Sequence, residues 1–181
     1  MKAAKSVHIS GTITQGSKMI GIDATTFSNG DINGSFTESG NTASIIKIGK
    51  TDYLNTTAAF YEATGASSSI ANLMNGKWIE LPDSSAGFGN ELTLDAIANS
   101  FQKNHGSVTA GSTSTINGIP VVSVHSSTGG TLYVATTGAP YPLEVTNSSK
   151  ASGTGTITLT QWNKGKTPTP PPGARTPASF S

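Results

Sequence analysis

Few side chains in this sequence are of a type and spacing that could do acid–base or metal chemistry. The three histidines, His8, His105 and His125, match no zinc-ligand spacing, and none stands four residues from another ligand. His8 and His125 fall on the polar faces of alternating runs and His105 at a helix end, where an imidazole is solvated or caps a terminus. Serine is abundant, yet no Gly-x-Ser-x-Gly elbow is present to raise a nucleophile onto a strand-to-helix turn. Asp52, Glu80, Asp95 and Glu144 are scattered without a signature of paired general acid and base. Cysteine is absent, which removes disulfides, thiolate nucleophiles, Cys-ligated zinc and iron–sulfur clusters. The expectation is a chain with no catalytic residues, no metal and no cofactor.

Two short stretches invite a ligand reading and do not sustain it. In "NGDINGSFTESG", Asn29, Asp31, Asn33 and Gly34 match positions 1, 3, 5 and 6 of a calcium loop, the last being its turn glycine. The position that needs a bidentate glutamate is Gly40, and the flanks alternate as strands do. "GFGNEL", Gly87 to Leu92, lacks the third glycine and the preceding strand of a dinucleotide fingerprint. Asn33, Asn55 and Asn147 open N-x-S/T sequons, as chance provides in a chain rich in Ser and Thr.

The bulk composition narrows the partners. Charged residues are 12% of the chain, about half the usual 25%. Hydroxyls, amides and glycine replace them, a surface common among secreted and cell-surface β proteins. The formal net charge is +1 and the single arginine is Arg175, so no nucleic-acid partner is expected. No apolar run approaches the roughly 18 residues that span a bilayer. "MKAAKSVHIS" has a basic start but no apolar signal core.

Any site must be positioned by short strands and a helical insertion. Asn-Gly dipeptides occur at Asn29-Gly30, Asn33-Gly34, Asn75-Gly76 and Asn117-Gly118, and Asn-Gly takes the positive φ values of a type I′ hairpin turn. "KSVHISGTIT", "SKMIGIDATTF", "DINGSFTE", "TASIIKIG" and "TDYLN" alternate with period two and read as consecutive half-buried strands. "TAAFYEATG" and "ASSSIANLMNG" read as short helices, "KWIELP" as a strand, and "NELTLDAIANSFQKNHG" as the clearest helix, with Leu94, Ile97, Ala98 and Phe101 on one stripe. Strands resume near 107–116, 119–126, 131–137, 142–148 and 153–162. The expectation is one α+β domain over residues 1–164, a large curved antiparallel sheet with a few helices covering its concave face. Residues 165–181, "GKTPTPPPGARTPASFS", follow as a Pro-rich tail, extended or disordered.

The ordered set "SVHISGTI", "IIKIGKTDYLN", "GKWIELP", "INGIPVVSV" and "GGTLYVATTGAPYPLEVT" resembles the LppX/LprG-type lipoproteins of actinobacteria, relatives of the LolA-like lipoprotein carriers. The resemblance spans Val7 to Trp162. It implies a half-barrel whose open side is filled by helices around an apolar cavity. It also implies carriage of a lipid, an acylated glycolipid or a lipoprotein acyl chain in the cell envelope, by a monomer, with membrane or envelope proteins as further partners. Such proteins are made with a signal peptide and a lipobox cysteine. Neither is in this sequence, so the expectation is the mature part of an exported lipoprotein, with Met1 replacing a removed export and anchor segment.

The resemblance turns the apolar faces into candidate cavity walls. Val7, Ile9, Ile20, Ile22, Phe36, Ile46, Ile48 and Leu54 are the inner-face candidates of the sheet. Phe60, Ile70, Leu73, Met74, Leu94, Ile97 and Phe101 are those of the helices. Within these sets Ile22, Ile46, Ile48, Leu54 and the helical residues, together with Trp78, are the expected ligand-binding positions. Pattern alone equally describes an ordinary solid core. A non-catalytic envelope surface module of the same fold, a sensor or protein-interaction domain with a filled core, is the alternative. Trp78 and Trp162 are large aromatic anchors, read first as packing residues. In "GAPYPLEVT", Pro140 and Pro142 stiffen the start of a returning strand and place Tyr141 at a rim.

Overall fold

The computed structural model describes residues 3–82, 92–100, 106–149 and 153–180. The alternating runs form strands β1 (Ser6–Gln15), β2 (Lys18–Phe27), β3 (Ile32–Glu38), β4 (Asn41–Ile48) and β5 (Thr51–Asn55). Two short helices follow, α1 (Ala58–Ala63) and α2 (Ser68–Met74), and then strand β6 (Ile79–Pro82). Helix α3 (Leu94–Ser100) lies in the run read as the clearest helix. The chain then returns through β7 (Val108–Ile116), β8 (Ile119–Ser126), β9 (Gly130–Ala135), β10 (Pro142–Asn147) and β11 (Thr154–Thr160). All pair antiparallel in one 11-stranded sheet of order β6-β5-β4-β3-β2-β1-β11-β10-β9-β8-β7. The sheet does not close on itself. It is an open half-barrel, as the sequence led us to expect.

The turns follow the local chemistry. Asn117 and Gly118 take φ of 50° and 79° between β7 and β8, the paired positive values of a type I′ turn. Asn33-Gly34 is different. It lies inside β3, where Gly34 faces Ala24 so closely that a Cβ would sit 2.3 Å from the Ala24 Cα. Asn29 and Asp31 close the β2–β3 turn instead. The Asp31 carboxylate accepts from the Asn29 side-chain amide (2.8 Å) and from Gly49 N–H (3.0 Å), so it has a structural task.

The backbones of β1 and β11 approach closely at two glycines. Gly11 and Gly155 have φ of 149° and 158°. A Cβ on either would fall about 2 Å from the carbonyl oxygen of Thr156 or Thr12 across the pair. Only glycine permits so close a backbone approach.

The helices have real caps. Thr57 Oγ1 accepts from Phe60 N–H, and Ser67 Oγ from Ile70 N–H. Asn75 Oδ1 accepts from Ala58 N–H at 2.9 Å and ties the end of α2 to the start of α1. Thr93 precedes helix α3, and its hydroxyl accepts from Ala96 N–H.

The proline-rich segment runs without helix, strand or turn through Pro171 and then turns at Pro172-Gly173. It leaves β11 where Asn163 N–H donates to Ser6 O and Gly165 N–H to Ser6 Oγ. Gly165 lies against Thr25 and Phe27, on the face away from the helices. Pro168 and Pro171 are buried. At the far edge Arg175 bridges Ile79 of β6, with Glu80 N–H donating to Arg175 O (2.8 Å) and Arg175 N–H to Trp78 O (3.0 Å). A 3₁₀ turn, Pro177–Phe180, then brings Phe180 against the core under α1 and α2. From β2 to β6 is four strand spacings, about 19 Å, and the seven residues before the turn at Pro172-Gly173 reach about 22 Å if extended. The segment is thus a strap over the outer face, folded around one edge of the sheet.

Candidate functional site

The inner face, which carries the helices, is built of rows of directly paired residues. One row runs Val7–Thr26–Ile32–Lys47–Asp52–Leu81. The next runs Leu159–Ile9–Ala24–Gly34–Ile45–Leu54–Ile79. The third is Ile157–Gly11–Ile22–Phe36–Ala43, and the fourth Gly155–Ile13–Ile20–Glu38. Along β1, β2 and β3 burial falls from row to row, whereas at β4 the third row is closed by fully buried Ala43. Val7 and Ile32 are fully buried, Ile9 and Ala24 nearly so, Ile22 and Phe36 only half, while Ile13 and Ile20 are 39% and 40% exposed. An apolar strip therefore emerges from beneath the helices toward the β1–β2 turn.

The helix layer fills the other end. Ala43, Leu54, Tyr61, Ala71, Met74 and Ile79 form one buried cluster, with Phe60 edge-on to Phe36 at 5.9 Å. Val7, Ile9, Leu94 and Leu159 form a second, joined by Ile97 and Trp162, and Ala24, Ile32 and Ile45 a third. Ile22 packs against both of these last two.

These placements sort the expected wall residues. Ile22, Leu54, Phe60, Met74, Leu94 and Ile97 all face the space between sheet and helices, where Leu54, Met74 and Leu94 are buried in packed clusters. Ile46 and Ile48 do not. Ile45 pairs with Gly34 and Leu54 on the inner face, which turns Ile46 and Ile48 outward and Lys47 inward. The correction has a physical cause, since a strand's side chains alternate and Ala43 and Ile45 hold the inner register. The outward isoleucines are half-buried and Tyr53, opposite Ile46, is buried on the face the strap crosses. Ile70 and Leu73 also depart from expectation. Helix α2 turns Ala71 and Met74 inward and leaves Ile70 and Leu73 38% and 48% exposed. Trp78 is half-buried and offers its carbonyl to the strap. Phe101 lies outside the described residues.

The inward turn of Lys47 creates a buried ion pair. Its Nζ lies 3.2 Å from Asp52 Oδ1, with side chains 7% and 2% exposed. Asp52 Oδ2 has no hydrogen-bond partner among the described residues. The Tyr61 hydroxyl is likewise unpartnered, and burial pushes its pKa up to about 12. Among the described residues no cluster of three His, Cys, Asp or Glu could hold a metal ion. Among the described residues His125 bonds to the hydroxyls of Ser123 and Thr131, and buried Ser123 in turn donates to Ser112 O.

A separate groove of about 400 Å³ lies where the β7–β8 and β9–β10 turns meet the exit of β11. Leu143 and Leu159 line it beside Ile116 and Ile119. Its wall is the stack of Tyr141 on Trp162, centroids 4.4 Å apart and planes within 6°. Trp162 Nε1–H donates to Pro142 O, and Asn163 donates to the Tyr141 hydroxyl. The Pro-Tyr-Pro corner is thus a clamp on Trp162. Sequence reading marked Tyr141 as a rim residue but gave no sign of Leu143, Leu159 and Ile119 as neighbours, because a turn-to-turn contact leaves no periodic trace. On the outer face of β1 and β11 a shallower groove of about 580 Å³ is lined by Ser10, Thr12, Thr14, Thr154, Thr156 and Thr158 with their glycines, and carries neither charge nor aromatic ring.

An open antiparallel half-barrel with helices on its inner face defines the LppX/LprG-type lipoprotein fold, and this chain has it. Lipoprotein LppX of Mycobacterium tuberculosis superposes with a TM-score of 0.57 over 91% of this chain and 90% of its own, at 15% identity. LprF from Mycobacterium bovis gives 0.56 over 93% and 90%, at 17% identity. At such identities the likeness is one of fold. No family model matches the sequence, and no curated protein matches it.

Proposed function

We propose that this protein is an extracytoplasmic carrier that sequesters a lipid, an acylated glycolipid or a lipoprotein acyl chain against the inner face of its half-barrel. The observation that carries the reading is the gradient of burial, from fully covered Val7 and Ile32 to open Ile13 and Ile20. A solid core would cover that strip; a carrier leaves it for cargo. Sequestration is passive, each buried methylene contributing about 0.8 kcal/mol. The helices act as the cover, and no residue need perform catalysis. The protein works as a monomer in the cell envelope or outside it. It exchanges cargo with the membrane or with envelope proteins and uses no cofactor. The fold shared with two lipoproteins supports this reading.

The test is native mass spectrometry and lipid extraction of protein purified from an actinobacterial envelope. Adducts of lipid mass support the carrier. Bare protein that also fails to take up a long-chain fluorescent lipid from vesicles overturns it. The second reading, a surface module with a filled core, is favoured by the dense packing of Leu54, Tyr61, Ala71, Met74 and Ile79 beneath α1 and α2. It predicts bare protein together with retention of an envelope partner.

A further inference from the structure

We infer that the groove at the β11 exit is a second ligand site, one that takes the alkyl chain of a single-chain fatty carboxylate with its head group at Lys164. Its volume, about 400 Å³, is in the range of small-ligand sites, roughly 300–1,000 Å³. Ile116, Ile119 and Leu143 give it an apolar lining suited to an alkyl chain, backed by buried Leu159, and Asn117, Thr137 and Gln161 a polar margin.

The charge on the lining is one-sided. Among the described residues that line the groove Lys164 is the one charged group, and none is a carboxylate. Lys164 has no carboxylate partner among the described residues. A ligand that satisfies both features is apolar along its length and anionic at one end. The wall is fixed in advance, because the polar atoms of Trp162 and Tyr141 are already engaged by Pro142 O and the Asn163 side chain. A rigid, pre-formed wall loses little freedom on binding. The stiff Pro140-Tyr141-Pro142 corner, which the carrier reading of the inner face does not use, acquires a reason here.

The groove shares Leu159 and Trp162 with the inner-face cluster but none of its lining with the open strip at Ile13 and Ile20, so the inference does not rest on cargo at that strip. The chain has two tryptophans, and Trp78→Phe leaves Trp162 as the sole indole reporter. Titration of that variant with a bromine-labelled fatty acid, which quenches indole on contact, is the direct experiment. The expected result is saturable quenching that Ile119→Glu, at an exposed position, abolishes and that Lys164→Glu weakens about fivefold or more. Dodecyltrimethylammonium should fail to compete while dodecanoate competes. Ile20→Glu should leave the quenching intact whatever it does to lipid carriage. Absence of saturable quenching, or quenching indifferent to both Ile119→Glu and Lys164→Glu, overturns the site. Competition by the cationic amphiphile equal to that by dodecanoate overturns the carboxylate.

Discussion

Lys47 and Asp52 meet across β4 and β5 in a row otherwise made of Val7, Thr26, Ile32 and Leu81. Charges removed from water cost several kcal/mol each, and their mutual attraction roughly offsets that only while both are present. Lys47→Met alone should therefore destabilise the protein by about 3–5 kcal/mol. Lys47→Met combined with Asp52→Leu should recover most of the loss, as denaturant melts of the three proteins would show. Tyr61 poses the reverse case. Its hydroxyl is buried without a partner among the described residues, so Tyr61→Phe should leave stability unchanged or raise it by about 1 kcal/mol. The pH dependence has a definite sign. The unfolded chain releases the phenolic proton near pH 10 and the folded one near 12. The neutral form is thus favoured by folding: stability is full below pH 10 and falls as pH rises toward 12, by about 2 kcal/mol. Melts in that window should lose this component in Tyr61→Phe; an identical pH profile in both proteins would count against it.

At the scale of elements, the strap and the sheet edge explain each other. Strand β6 ends the sheet, and an open edge is a template for pairing with another chain. Arg175 occupies it with two backbone hydrogen bonds. Beyond it Phe180 packs into the cluster of α1 and α2, with the cationic ends of Lys77 and Arg175 within 5.4 and 6.0 Å of its ring centroid. Truncation after Lys164 should cost about 3 kcal/mol or more from the uncovered apolar surface. It should also promote self-association through β6, read by melting and by sedimentation; a truncated chain that stays monomeric and equally stable would refute the strap's role. Composition alone could suggest an extended tail at 165–181 but could not give its path, because proline fixes φ without choosing a partner surface. The same limit governed β4. In "TASIIKIG" isoleucine count favours Ile46 and Ile48 as the inner pair, whereas cross-strand pairing of Ile45 with Gly34 and Leu54 decides otherwise. Period-two runs and Asn117-Gly118 made the strands legible. What escaped was which face each run presents, a matter of partners distant in sequence.

For the molecule as a whole, the question is whether an interior that is dense at one end can hold cargo at the other. The second row, from Leu159 to Ile79, is sealed across the half-barrel, and no chain need pass it. Beyond it the inner face opens through Ile22 and Phe36 to Ile13 and Ile20. Such residues are too exposed to contribute much to the core, and substitution there ordinarily shifts stability by about 0.5 kcal/mol or less. A charge on that strip should nonetheless oppose an alkyl chain laid along it, since each buried methylene contributes about 0.8 kcal/mol and a carboxylate in its path must be desolvated. Ile20→Glu should therefore lower long-chain lipid uptake at least tenfold while the melting temperature stays within a few degrees of wild type. Asp23→Asn, on the opposite face of the same strand, should change neither. Uptake unaffected by Ile20→Glu in a protein that still carries lipid would move the cargo off this strip and onto another surface.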